Sequence, residues 1–297
     1  MPHCVATLIA APSTFLPTST CAALVEALRS QGGQDVTLQE HASSQATDIF
    51  CQGLAPSAIY DVARGYLADR PVDVIVQPVA KRRKKLLLAD MESTIIEQEM
   101  LDELAAMLGL RDKVAAITRR AMNGELDFAE SLKERSALLA GQPESMLEKV
   151  AALITPMPGA AALVASMKAH GAQCWLATGG FTCFAEIVAK RLGFDRAYAN
   201  ELTVEQGVIT GAVREPILDK RSKQATLEQA CGELGLALDE CLTVGDGAND
   251  VPMLTAANQG GGLGIAYHAK PAVRAVIPHQ INHGDLTALV YAQGLEP

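Results

Sequence analysis

The sequence predicts an α/β protein in which a parallel sheet carries the chemistry, a helical stretch interrupts that sheet after its first strand, and a small α+β unit comes before it. Three observations support this reading. Short apolar runs at Leu86–Ala89, Cys174–Ala177 and Cys241–Val244 each end in a polar or glycine-bearing cluster, as central strands of a sheet covered on both faces do. Residues 97–154 have helical spacing and separate the first run from the second. Ahead of these, residues 4–79 alternate in the order βαββαβ.

The chain of 297 residues is long enough for two domains, on a prior of about 150 residues each. The composition shift at Lys81-Arg82-Arg83-Lys84-Lys85 divides it into residues 1–80 and 81–297. An apolar fraction of 49 % and a charged fraction of 20 % belong to an ordinary globular protein. A formal net charge of −9 repels polyanions, which excludes a nucleic-acid partner unless a local basic patch overcomes the global field. The run 81–85 is the one candidate patch, and its length and position predict a solvated linker. Seven cysteines lie far apart with no C-x-x-C pair, which argues against a disulfide framework or a zinc knuckle and for a reducing compartment. The N-terminus lacks a basic segment followed by an apolar stretch, and no run of about 18 apolar residues occurs, so neither export nor a membrane span is expected and the location is expected to be cytoplasmic.

Within the first unit, Cys4–Ile9 reads as a strand and Thr20–Gln31 as an amphipathic helix closed by Gly32-Gly33. Extended stretches follow at 35–40 and 48–52, then helical spacing at 56–67 and a strand at 72–76. This is the split pattern of a ferredoxin-like domain. It resembles, loosely, the ACT-type modules that precede some metabolic enzymes, and it leaves three roles open: amino-acid sensing, homodimer formation, or a structural appendage.

Asp90 ends the run Leu86–Ala89, Thr178-Gly179-Gly180 follows the second run, and Gly245-Asp246-Gly247-Ala248-Asn249-Asp250 follows the third. Ligands of open α/β sheets bind beyond the carboxyl ends of the strands, so three clusters are delivered to one edge. Asp90 and Asp246 are hard oxygen donors suited to Mg²⁺. A threonine followed by two glycines lets backbone N–H groups approach phosphate oxygens, and Lys223 adds a fixed positive charge. Phosphoryl transfer asks for a nucleophile, charge neutralisation and alignment, and these residues supply each.

These segments resemble the haloacid-dehalogenase superfamily, with Asp90-Met91-Glu92-Ser93-Thr94, Thr178-Gly179-Gly180, Lys223 and Gly245–Asp250 matching its four motifs in order. Between the first two motifs, Met122-Asn123-Gly124-Glu125-Leu126-Asp127-Phe128 narrows the resemblance to the phosphoserine phosphatases. The resemblance implies a Rossmann-like parallel sheet with a helical cap inserted at about 97–154. It also implies Asp90 as the nucleophile that takes the phosphoryl group and Glu92 as general acid and base. Mg²⁺ would be held by Asp90, Asp246 and the backbone carbonyl of Glu92. Asp250 would orient Lys223, and Asn249 would support the phosphate. Glu99, Met122, Phe128 and Arg135 fall at the family's substrate-binding positions, Arg135 suiting a carboxylate and Glu99 an ammonium, as O-phosphoserine carries.

Two positions depart from the family pattern. Glu92 stands where aspartate is usual and is longer by one methylene, and misplacing a catalytic group by about 1 Å can lower a rate on the order of 10²-fold. Thr178 stands where serine is usual. Three other readings remain open on these residues: a phosphotransferase, a phosphatase for another small phosphate monoester, and a non-catalytic phospho-amino-acid binding protein.

Overall fold

In the computed structural model, which describes residues 3–12, 14–68 and 70–297, the chain forms two sheets and a hairpin. The first sheet contains β1 (Cys4–Ala10), β2 (Gln34–Glu40), β3 (Ala46–Gln52) and β4 (Val72–Pro78). Its order is β2-β3-β1-β4 and every pair is antiparallel. With α1 (Thr18–Ser30) and α2 (Pro56–Leu67), the chain order is the βαββαβ read from the sequence. The helix α1 stops where two glycines follow it. Gly32 has φ +95°, and the N–H of Gly33 donates to the Leu28 carbonyl at 2.9 Å, satisfying a helix-end carbonyl.

β1 is buried throughout because both faces of its sheet are covered. Cys4, Ala6 and Leu8 pack with Leu24, Leu28, Ile59 and Ala63 of the two helices. On the other face, Ile9, Ala46 and Ile75 join the core of the remainder of the chain, so the period of two sends alternate side chains into two different cores.

The second sheet contains β5 (Leu86–Ala89), β6 (Gln173–Phe181), β7 (Arg196–Asn200), β10 (Cys241–Gly245), β11 (Leu263–Tyr267) and β12 (His279–Ile281). It is parallel throughout, in the order β12-β11-β10-β5-β6-β7. The order in which strands are added reverses between β5 and β10, the switch point at which such sheets form their ligand crevice. Alternation again sorts the side chains. Leu87, Ala89, Cys174 and Leu176 face α7 (Ala160–Ala169) and α8 (Thr182–Leu192). Leu86, Leu88, Trp175 and Ala177 face α9 (Lys220–Leu234) and α10 (Val251–Gln259). Two short helices, α11 (Pro271–Arg274) and α12 (Ala288–Ala292), complete the unit.

The helical interruption is found as α3 (Met100–Met107), α4 (Arg111–Met122), α5 (Phe128–Ala137) and α6 (Ser145–Ala151). A capping box starts α5: the Asp127 carboxylate accepts the Glu130 N–H and the Glu130 carboxylate accepts the Asp127 N–H, both at 2.8 Å. A hairpin absent from the sequence reading, β8 (Leu202–Glu205) and β9 (Val208–Val213), reaches up to this cap. The N–H of Gly141 donates to Ile209 O at 2.9 Å, Ile209 N–H to Gln142 O at 2.8 Å, and Glu144 N–H to Gly207 O at 2.8 Å. Gly211 has φ +81°, and a Cβ there would meet the Ala137 Cα at 3.1 Å, so hairpin and α5 touch backbone to backbone.

The basic run 81–85 is not the solvated linker its composition predicts. Arg82 forks onto the buried carboxylate of Asp48 at 2.7 and 2.8 Å and donates to the carbonyls of Tyr291 and Ala292 at 3.0 and 2.9 Å. Lys84 is buried and donates to Asp239 O at 2.9 Å, and burial pushes its pKa down to about 8. The run is a seam between two packed units, and its partners lie far away in sequence, where composition does not register them.

His41 extends that seam. Its Nε2 faces Asp48 and its Nδ1 faces Glu296, each at 3.0 Å, so only the doubly protonated ring can donate to both. Burial opposes the charged ring, but the hydrogen bonds and charges of Asp48 and Glu296 outweigh it and the pKa is raised above the ordinary 6.5. A raised pKa contributes stability that is fully present below the unfolded value and is lost as pH rises through the folded one. The melting-temperature advantage of the parent over His41→Asn should therefore be largest below pH 6.5 and shrink at higher pH. Melting curves from pH 5.5 to 9 test this, and a constant advantage would contradict it.

Candidate active site

Four strand ends converge over the switch point. β5 delivers Asp90, β6 delivers Thr178, Gly179 and Gly180, β10 delivers Asp246 and Asn249, and β11 delivers Lys270. From the cap, α5 presents Phe128, Leu132 and Arg135 on one face, at i, i+4 and i+7. Glu99, just ahead of α3, closes the same cavity of about 220 Å³.

The floor of the cavity is acidic. Oxygens of Asp90, Asp246 and Asp250 lie within 4.8 Å of one another. The ammonium of Lys223 sits 2.7 Å from Asp90 Oδ1 and 2.5 Å from Asp250 Oδ1. Asp250 is engaged on both oxygens, since its Oδ2 also accepts the Gly247 N–H at 2.9 Å. A Cβ on Gly245 would collide with the Asp250 carboxylate, so that glycine makes the close approach possible. Asp90 Oδ1 accepts the Met91 N–H at 2.8 Å, whereas among the described residues Oδ2 accepts no hydrogen bond. Burial, then the charge of Asp250, raises the Asp90 pKa well above its ordinary value of 3.8, against the pull of Lys223. Burial also raises Asp246, although Lys270 opposes it from 3.5 Å. Three buried carboxylates facing one buried ammonium leave an excess of negative charge on hard oxygen donors, and a divalent cation fits that set.

Glu92 accommodates its extra methylene by docking. Its Oε1 accepts the N–H of Met100, the first residue of α3, at 2.9 Å. A Cβ on Gly180 would stand 2.9 to 3.0 Å from the Glu92 carboxylate, so that carboxylate lies directly across the glycine. Burial first, and the charge of Glu99 second, push its pKa to about 7, with the Met100 N–H pulling the other way. Thr178 is buried, and its Oγ1 accepts the Gly180 N–H at 2.9 Å, which leaves the hydroxyl proton to donate. A Cβ on Gly179 would lie 2.9 Å from the Phe128 ring, so the cap rests on this glycine. Ser93 donates to Glu99 at 2.8 Å. Arg135 spends its Nε on Ser131 O at 3.3 Å, and among the described residues its terminal nitrogens pair with nothing.

Of the residues singled out in the sequence, Asp90, Glu92, Glu99, Phe128, Arg135, Thr178, Gly179, Gly180, Asp246 and Asn249 line one cavity. Lys223 and Asp250 stand behind Asp90. The side chain of Met122, at the end of α4, lies outside the described residues. Sequence reasoning missed Lys270. The available signal was the strand-then-polar layout that found the other clusters, since Lys270 follows the apolar strand Leu263–Tyr267.

Phosphoserine phosphatase SerB2 of Mycobacterium tuberculosis is 39 % identical over 247 residues, which cover 82 % of this chain and 58 % of that protein. The phosphoserine phosphatase of Lactococcus lactis is 42 % identical over 207 residues, 70 % of this chain and 94 % of that one. Among solved structures, a haloacid-dehalogenase-family hydrolase of Salmonella enterica serovar Typhi superposes with a TM-score of 0.84 at 28 % identity, over 97 % of this chain and 98 % of that one. A substrate-bound phosphoserine phosphatase superposes with a TM-score of 0.64 at 35 % identity, over 70 % of this chain and 98 % of that one. The family pattern of haloacid dehalogenase-like hydrolases matches residues 87–255, the stretch that runs from the strand before Asp90 past the loop holding Asp246 and Asp250. With its carboxylates gathered at the ends of parallel strands and that match across them, the chain belongs to the haloacid dehalogenase-like hydrolase family.

Proposed function

We propose that this protein is a metal-dependent phosphomonoesterase that hydrolyses O-phospho-L-serine to L-serine and phosphate, the last step of serine biosynthesis, through an aspartyl phosphate on Asp90. The observation that carries this reading is one small cavity with an acidic, lysine-backed floor of strand ends and a roof bearing Arg135 and Glu99. Relatives about 40 % identical are phosphoserine phosphatases, which supports the substrate.

Oδ2 of Asp90 attacks phosphorus in line as the bond from phosphorus to the serine oxygen breaks, and Glu92 gives its proton to that oxygen. Water then attacks the aspartyl phosphate, Glu92 takes a proton from it, and phosphate leaves with the Asp90 carboxylate restored. Lys223 holds Oδ1 of the nucleophile, and Asp250 holds Lys223. Thr178, Gly179, Gly180 and Asn249 bind phosphate oxygens. Arg135 takes the substrate carboxylate and Glu99 the ammonium, while Phe128 packs against the carbon chain between them. Asp90, Asp246 and the backbone carbonyl of Glu92 would hold Mg²⁺, for which an all-oxygen donor set is suited. When bound, that ion supplies the positive charge that lets two anions approach.

Residues 1–80 form a separate domain in this reading, suited to sensing an amino acid or pairing two copies. The seven scattered cysteines, with no C-x-x-C pair among them, fit a cytoplasmic metabolic enzyme.

A turnover screen tests the proposal. With Mg²⁺ present, phosphate release from L-phosphoserine should exceed that from analogues lacking the amine or the carboxylate by about 10²-fold or more in kcat/KM. Equal release from all three would remove phosphoserine as the substrate. Phosphate transfer to added alcohols in preference to water would make the protein a phosphotransferase.

A further inference from the structure

Asp73 lies in β4 of the N-terminal sheet, is 3 % exposed, and pairs with no cation among the described residues. Its carboxylate instead accepts three backbone N–H groups from the other unit: Asn282 at 2.8 Å on Oδ1, and His283 at 3.0 Å and Gly284 at 2.8 Å on Oδ2. A buried carboxylate needs such donors to offset its lost hydration. In turn they fix the loop after β12 against a different sheet.

That loop holds a second one. The carbonyl of Gly284 only accepts, so His268 Nε2, at 2.8 Å, carries the proton and donates. The N–H of His268 donates to Ile281 O at 2.8 Å, tying the same turn to the strand before the loop. His268 has φ +42°, a left-handed conformation that a residue with a Cβ holds only when its surroundings fix it. Two residues on, the N–H of Lys270 donates to Asp246 O at 3.1 Å and its ammonium stands 3.5 Å from Asp246 Oδ2, on the cavity wall. Every link from Asp73 to Asp246 is thus a hydrogen bond or a peptide turn.

We propose that Asp73 is a positioning residue for the active site: through the 282–284 loop and His268 it sets the place of Lys270, and Lys270 is a further substrate-binding residue that draws the phosphate monoester dianion into the cavity towards Asp90. The N-terminal domain is by this account part of the catalytic unit's mechanical support. The inference rests on the phosphatase reading, and it is tested with whichever phosphate monoester the parental protein turns over, so that a change of substrate leaves it testable.

The experiment is a double-mutant cycle on the full chain. Lys270→Ala should raise KM about tenfold with kcat within about twofold, the signature of lost binding that is equal in ground and transition states. Asp73→Asn should raise KM about threefold to fivefold in the same way, and the double variant should match Lys270→Ala alone, because the two act in series. His268→Gln, which keeps a donor near the Nε2 position, should retain the parental KM, and His268→Ala should behave like Asp73→Asn. Should Asp73→Asn fail to fold, the His268 pair paired with Lys270→Ala completes the same cycle. A purely structural role would lower the melting temperature and the active fraction, and hence apparent kcat, with KM unmoved. That outcome, or effects that multiply in the double variant, overturns the inference. Loss of all turnover in the parental protein would instead count against the phosphatase reading.

Discussion

Asp90→Asn should lower kcat for phosphoserine by about 10⁴-fold or more while leaving the fold intact. An amide oxygen carries no charge with which to attack phosphorus, and the one oxygen of Asp90 that accepts no hydrogen bond among the described residues is the one the mechanism needs. The fold should survive because the substitution removes one of three carboxylates crowded within 4.8 Å and so relieves repulsion in a buried site. Phosphate release and thermal melting measured on the same preparation separate the two effects. Hydrolysis at the parental rate would show that another group attacks phosphorus.

The second large effect is expected at the roof of the cavity. Arg135→Ala should reduce kcat/KM for phosphoserine by roughly 10²–10³-fold, the size of one lost charge-assisted, bidentate contact. For phosphoethanolamine, which has no carboxylate, the same substitution should change kcat/KM by no more than about threefold. Selectivity between the two substrates would then collapse. The basis is the unpaired guanidinium: Arg135 uses only its Nε internally, on Ser131 O, and faces the cavity with its fork free among the described residues. Parental selectivity in the variant would assign the cavity to a monoester without a carboxylate.

The central parts of this site were legible because they are local. An acid at the end of a continuously apolar run, such as Asp90 after Leu86–Ala89, announces both a buried parallel strand and its reactive end. The departure at Glu92 was legible as a departure, but its remedy was not, since docking on the Met100 N–H depends on where α3 starts in space. Lys270 escaped notice because a single lysine after a strand is common, and only the adjacency of β10 and β11 brings it to Asp246. The docked face of the N-terminal sheet was hidden for a different reason. Thr7, Asp48 and Asp73 are polar residues among apolar ones, a pattern that normally marks a face turned to water. Here they are buried, and they make the bonds that join the two units.

The hairpin of β8 and β9 bears on the chemistry from outside the cavity. It grips the C-terminal end of α5 through Gly211, and Phe128 seats the N-terminal end on Gly179, so this helix is held by the hairpin at one end and by the parallel sheet at the other. Arg135 therefore rides on a helix braced at both ends. A guanidinium held at a set reach from Asp90 works as a ruler. For the phospho-amino acid proposed above, it would reward a phosphate and a carboxylate separated by one particular number of carbons, and homologues one methylene longer or shorter would forfeit one end of the grip.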